Sequence, residues 1–147
     1  MSKTAPPPAR ARPLVGLRLL ALLYDFFAML GVWFIAAAAF TFAHGDAVRG
    51  GWLGLLEFAV FWLLAGLYAT WSWRGGGQTI GMRAWRLRVA GADGGAPGLR
   101  RLWLRYAIGS LSLLAGGAGF WWAWIDRDRL AWHDRASATR LRREPRR

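Results

Sequence analysis

Two long, nearly unbroken apolar stretches constrain this chain more than any other feature. From Leu19 to Ala43 the residues are apolar, aromatic or small apart from Asp25. As a helix this run would rise about 37 Å, more than the hydrocarbon core of a bilayer requires. A hydrophilic link, His44 to Gly51, leads to a second run, Trp52 to Trp73, broken only by Glu57. Trp52 at one end and Trp71 and Trp73 at the other sit where an amphipathic indole favours the headgroup level. Ala37 and Ala39 could pass for a signal-peptidase site, but the stretch is too long for a signal peptide and contains an aspartate. The expectation is therefore an all-α membrane protein with two transmembrane helices, over about 19–43 and 52–73.

A third apolar run, Leu102 to Ile125, contains Arg105 near its start and Gly116, Gly117 and Gly119 in its second half. It could cross as a straight span or fold back as a glycine-broken hairpin, with one helix from Leu102 to Leu114 and a shorter one from Phe120. The cations favour the hairpin. Four of the 20 Lys and Arg residues precede or open the first span, one lies in the first link, seven lie between Arg74 and Arg105, and eight between Arg127 and Arg147. The positive-inside rule then places the link outside, and the N-terminus and the segment after the second span in the cytoplasm. A full third crossing would send the arginine-rich end out against that rule. The net charge of +12 is segregated into the flanks of the apolar runs, unlike the mixed surface of a soluble basic protein.

The remaining segments fall between and around these runs. Residues 1–13, rich in proline and cations, read as a disordered basic tail, and residues 141–147 as an arginine-rich tail, with disorder expected after Thr139. Residues 14–140 form the membrane domain. After Gly75–Gly77, Thr79 is placed to cap a short helix through Trp85. Trp85-Arg86-Leu87-Arg88-Val89 then alternates like a half-buried strand, and Asp93-Gly94 supplies a turn. This short cytoplasmic β-turn element would set Arg83, Arg86 and Arg88 against anionic lipid headgroups. Basic residues interleaved with aromatics can also bind nucleic acid, but no such motif is present, and nucleic acid is not expected as a partner.

Asp25 is the most informative residue. An ionised carboxylate inside a transmembrane helix costs on the order of 2.5–3.5 kcal/mol, so it should face other helices or water. It reads either as a proton or cation site or, the favoured account, as an internal salt-bridge partner for Arg105 or an arginine of the C-terminal tail. Arg18, seven residues earlier on the same helical face, should snorkel to the cytoplasmic surface. Glu57 reads as a water-accessible charge near the end of its helix, and His133-Asp134 as a structural pair at a helix end. The alternating charges of residues 126–135 read as local salt bridges on a solvated face. There are no cysteines, no H-E-x-x-H spacing, no G-x-S-x-G elbow, and no P-loop or dinucleotide fingerprint. No enzymatic activity, metal or other cofactor is expected.

Several of these residues together resemble the RDD family of small bacterial membrane proteins, named for one arginine and two aspartates. Arg18 and Asp25 look like the first two signature residues. Gly77-Gln78-Thr79-Ile80-Gly81 looks like the family's G-Q-T-x-G segment, and Leu130-Ala131-Trp132-His133-Asp134, with Thr139, like its terminal L-H-D-x-x-x-x-T block. Asp134 is then the second aspartate, with Asp126 its rival; Met82 stands where lysine is frequent. The resemblance implies a multi-pass protein of the bacterial inner membrane, with transport of a small ligand or cation, sodium–proton antiport among some members, as the expected activity. A non-transporting accessory or scaffold protein is the alternative. So few helices would call for a homo-oligomer or a membrane partner in transport.

Overall fold

The computed structural model describes residues 14–145. The basic N-terminal tail expected over residues 1–13 therefore lies outside the described residues. Helix α1 runs from Val15 to His44 and α2 from Gly51 to Gly76, and both are long and apolar enough to cross a membrane. Gly45 and Gly77 end them in the left-handed conformation, donating back to Thr41 and Trp73 at 2.9 and 2.8 Å. The C-terminal half of α1 leaves Phe34, Ile35 and Phe42 more than two-thirds exposed, a surface that needs lipid rather than water around it.

The third apolar run is broken where its glycines are. Helix α4, Leu99–Leu114, and α5, Ala118–Ile125, meet at a bend of 98°. Gly116 and Gly117 take φ of +67° and +80°, conformations that L side chains rarely adopt, and the Gly117 amide reaches back to the Ser112 carbonyl at 2.8 Å. Eight residues of α5 rise only about 12 Å. The chain before α4 and after α5 meets again in a sheet, so the bent pair starts and finishes at the same end of the molecule.

That sheet consists of two antiparallel strands, β1 (Leu87–Gly91) and β2 (Thr139–Arg143), in register from Leu87 opposite Arg143 to Gly91 opposite Thr139. Two short helices flank it: α3, Ile80–Ala84, before β1, and α6, Trp132–Ala136, before β2. The strand corrects the expectation that the chain is disordered after Thr139. Arg140 to Arg143 are ordered because their backbone completes the ladder of β1, the only one among the described residues, with Arg88 and Glu144 adding an ion pair at 2.5 Å. Ala21, Met82, Leu87, Val89 and Leu102 pack into one core beneath the sheet. Val15, Phe120, Ala123 and Ala131 form a second, tying α5 to the start of α1.

Close packing of α2 on α4 depends on the small residues of α2. Gly66, Ala69 and Thr70 are buried. A Cβ at Gly66 would lie 2.5 Å from the Trp103 ring and 2.8 Å from that of Tyr106. The small-residue face therefore serves helix approach.

Candidate functional site

Two polar clusters lie inside the helical assembly. In the first, Asp134 on α6 is fully buried between two arginines. Arg18 Nη1 lies 2.6 Å from Asp134 Oδ2, and Arg105 Nη1 lies 2.5 Å from Asp134 Oδ1. The Ala131 amide also donates to Oδ2 at 3.1 Å, fixing the first turn of α6. Arg105 Nη1 additionally donates to Thr139 Oγ1 at 2.7 Å. The Ser137 hydroxyl donates to the His133 carbonyl at 2.5 Å, so the 2.7 Å bond between Ser137 and Thr139 has Thr139 as donor. Trp73 stacks beneath Arg105 at 5.4 Å.

His133 completes this cluster. Its ring lies 4.7 Å from that of Phe120, and its Nε2 lies 3.2 Å from Arg18 Nη1. Arginine can only donate, so Nε2 carries a lone pair and the imidazole is neutral with its hydrogen on Nδ1. Burial, reinforced by the Arg105 charge, pushes the imidazole down to about 3, in keeping with that tautomer. For Asp134, burial alone would raise the carboxyl, but the charges of Arg105 and Arg18 outweigh it and hold the group below the usual carboxylate range.

The second cluster is centred on Asp25. Tyr68 Oη and the Gly81 amide donate to Oδ1 at 2.8 and 2.9 Å, and Thr79 Oγ1 donates to Oδ2 at 2.5 Å. Each residue of the G-Q-T-x-G segment has a physical task here. Gly77 ends α2 with φ +71°, where a Cβ would also meet the Val89 carbonyl at 2.8 Å. Gln78 Nε2 donates to the Leu87 carbonyl at 2.8 Å, holding β1. Thr79 accepts from the Met82 amide at 3.3 Å, capping α3 while it binds Asp25. Ile80 turns its side chain outward, and its amide donates to Tyr68 Oη at 3.0 Å. Gly81 lets α3 lie directly on α1, since a Cβ would strike the Ala21 carbonyl and stand 3.1 Å from Asp25 Cγ.

Three sequence expectations are corrected. Arg18 does not snorkel to the surface; its side chain is 5% exposed, because Asp134 and His133 supply internal partners for the guanidinium. Among the described residues, Asp25 pairs neither with Arg105 nor with an arginine of the tail; neutral donors take up its oxygens, and Arg105 turns to Asp134 instead. The alternating charges of residues 126–135 are not uniformly solvated. Asp126 and Asp128 do bond locally to exposed Arg135, at 2.5 and 3.5 Å, but Asp134 is the buried centre of the arginine cluster. Sequence reasoning singled out Arg105 as a cation within an apolar run that demands a partner, but assigned it Asp25 in place of Asp134. It missed Tyr68 and Ser137, for which no local signal exists.

A cavity of about 110 Å³ joins the clusters, with Arg18, Asp25, Arg105 and His133 on its walls. A wider cleft of about 680 Å³ opens between α1, α2 and α4, and is aromatic and aliphatic apart from Asp25, Thr79, Ser110 and tyrosine hydroxyls. Among the described residues, no group of three or more His, Asp or Glu side chains is placed to hold a metal ion.

The RDD family model matches residues 12–138, nearly the whole chain. The chain belongs to the RDD family. No curated protein and no solved structure matches it. Membership in the RDD family, together with helices of spanning length and apolarity, makes this a membrane protein. Of the three positions likened to the RDD signature, Arg18 and Asp134 form a direct ion pair, whereas Asp25 forms the separate cluster with Tyr68, Thr79 and Gly81. Asp126 lies in the turn after α5, pairing with Arg135 and accepting from the Leu130 amide at 3.0 Å.

Proposed function

We propose that this RDD-family protein resides in the bacterial inner membrane, binds a small ligand or cation within the bilayer and moves it across, with Asp25 as the carboxylate that meets it. The observation that carries the reading is the internal cavity, which brings Asp25 together with Arg18, Arg105 and His133 inside helices that are otherwise apolar. Ionisable groups at membrane depth are expensive and mark ion or substrate paths. The protein has no catalytic role in this reading. The positive-inside count supports a cytoplasmic N-terminus, and the return of β2 to β1 supports a re-entrant α4–α5 pair with the C-terminus on the same side. Arg83 and Arg88, both exposed, lie against anionic headgroups there. With so few helices, transport involves a homo-oligomer or a membrane partner.

The test is proton and sodium flux in proteoliposomes, comparing the wild type with Asp25→Asn. Asn keeps the shape of the group and removes its charge. Flux in the wild type that is lost in a folded Asp25→Asn supports the reading; no wild-type flux, or unchanged flux in the folded variant, refutes it. A second reading, a non-transporting accessory or scaffold protein, is favoured by one specific observation: each aspartate oxygen in both clusters already has a donor. In that reading the charges fix helix packing, and Asp25→Asn fails to fold. A reporter fused after Arg147 tests the topology, with a cytoplasmic signal expected.

A further inference from the structure

The wide cleft between α1, α2 and α4, about 680 Å³, combines one charge with walls that ask for no hydrogen bond. Its volume falls within the range of roughly 300–1,000 Å³ typical of small-molecule sites. Among the described residues, every side-chain N–H and O–H on its lining is already donated within the protein. Trp33 Nε1 donates to the Phe61 carbonyl and Trp62 Nε1 to Ser110 Oγ, both at 3.1 Å. Tyr106 Oη donates to the Trp62 carbonyl at 2.7 Å, Ser110 Oγ to the Tyr106 carbonyl at 3.0 Å and Trp73 Nε1 to Met82 Sδ at 3.2 Å. Tyr68 and Thr79 donate to Asp25. Ring faces and aliphatic carbon are what the walls leave open to a ligand.

Asp25, half-buried, is the one charged residue on that lining among the described residues. Its partners Tyr68, Thr79 and Gly81 are neutral, so the carboxylate keeps a full negative charge. Oδ1 accepts two hydrogen bonds and Oδ2 only one, which leaves Oδ2 the less covered oxygen. Arg18 and Arg105 line the smaller cavity instead, and both turn to Asp134. Met29 and Trp33 follow Asp25 at i+4 and i+8 on the same face of α1, so the cleft runs about 12 Å from the carboxylate to the Trp33 ring. Trp33 stacks there on Phe61 with ring centres 6.3 Å apart, and Trp62 lies 5.0 Å from Tyr106 where α2 meets α4. Aromatic faces are electron-rich and attract cations. Leu23, Phe26 and Phe58 also line the cleft and are exposed, so a ligand dissolved in the bilayer reaches it sideways.

We propose that this cleft binds a lipophilic monovalent cation of the quaternary ammonium or phosphonium type, with its charge beside Asp25 and its apolar arms against the Trp33–Phe61 and Trp62–Tyr106 rings. Such an ion has no N–H or O–H of its own to satisfy, which suits walls whose polar atoms are already paired. Its one positive charge matches the one carboxylate. A neutral apolar molecule would leave that carboxylate without a counter-charge, and an anion would be repelled by it. The site rests on the assignment of Asp25 as the ligand-facing carboxylate, but it requires binding alone and no passage across the membrane.

The probe is tetraphenylphosphonium, with tetraphenylborate as an anion of the same shape. Equilibrium dialysis of the full chain in lipid nanodiscs, with uptake by empty nanodiscs subtracted, reads the binding. Saturable binding of tetraphenylphosphonium is expected, with tetraphenylborate weaker by about tenfold or more. Asp25→Asn should weaken the cation by about tenfold or more as well. Ala65→Phe keeps the test open where Asp25→Asn fails to fold. Ala65 lines the cleft one turn from Tyr68, and a ring there fills the space while every hydrogen bond to Asp25 stays in place. It should melt like the wild type and bind about tenfold more weakly or worse. Three results overturn the proposal: no saturable uptake, tetraphenylborate held as tightly as the phosphonium, or wild-type affinity in folded Asp25→Asn or Ala65→Phe. Sodium or proton flux that depends on Asp25, with no phosphonium binding, removes the cleft site and spares the transport reading. Saturable binding without flux does the opposite.

Discussion

Replacing Asp134 by Asn changes the shape of the side chain little and removes the one negative charge between Arg18 and Arg105. Those guanidiniums, 5% and 4% exposed, would then face each other with no counter-charge. Breaking a buried ion pair by removing one partner costs about 3–5 kcal/mol, and here two cations lose the same partner. Against a total stability of about 5–15 kcal/mol this is a large share. On the scale of domains this size, it corresponds to a fall in melting temperature of roughly 6–20 °C. Burial alone would raise the Asp134 carboxyl, but the two arginines hold it below its ordinary value of 3.8. Its contribution to stability is therefore complete above that ordinary value and fades only as pH falls through the depressed native one. A neutral-pH comparison captures the whole effect. Thermal unfolding in detergent, followed by circular dichroism, gives the measurement. Adding Arg105→Gln to Asp134→Asn should recover part of the loss, because one of the stranded charges goes too. A melting temperature within 2 °C of wild type for Asp134→Asn alone would refute the claim that this triad is a principal internal tie.

His133 and Gly81 test other parts of the architecture. The native His133 imidazole is pushed from its ordinary value of 6.5 down to about 3, chiefly by burial and then by Arg105. The unfolded chain thus takes up the proton first, and stability should decline as pH falls from about 6.5 towards 3. His133→Phe should flatten that part of the pH–stability curve; an unchanged slope would exclude His133 as its source. Gly81→Ala should separate α3 from α1 and lower stability by about 1–3 kcal/mol through overpacking. Gly75→Ala has nothing within 4 Å of the added carbon and should match or exceed wild type in the same unfolding assay.

The long helices could be read from the chain because hydropathy is a local property. So could the break in the third run, since Gly116 and Gly117 adopt conformations that few other residues tolerate. Thr79 was readable as a cap for the same reason. The β1–β2 ladder was not, because Thr139-Arg140-Leu141-Arg142-Arg143 has one apolar residue in five and pairs with a strand some fifty residues away. The site divides along the same line. Asp25 stood out as an acid in a greasy helix, but its partners sit 43 to 56 positions along the chain. The burial of Arg18 depends on His133 and Asp134, more than a hundred residues later. A lone arginine at a membrane boundary gives no sign of whether it will turn outward or find such a partner.

The Arg18–Asp134–Arg105 triad also imposes an order on biogenesis. Ribosomes release Arg18 first, Arg105 much later and Asp134 last, so during insertion both guanidiniums must remain hydrated or pair with lipid phosphates until the acid emerges. A nascent chain halted before Asp134 holds two cations that cannot enter the greasy interior, and only the late arrival of a single carboxylate lets the first helix settle to its final depth.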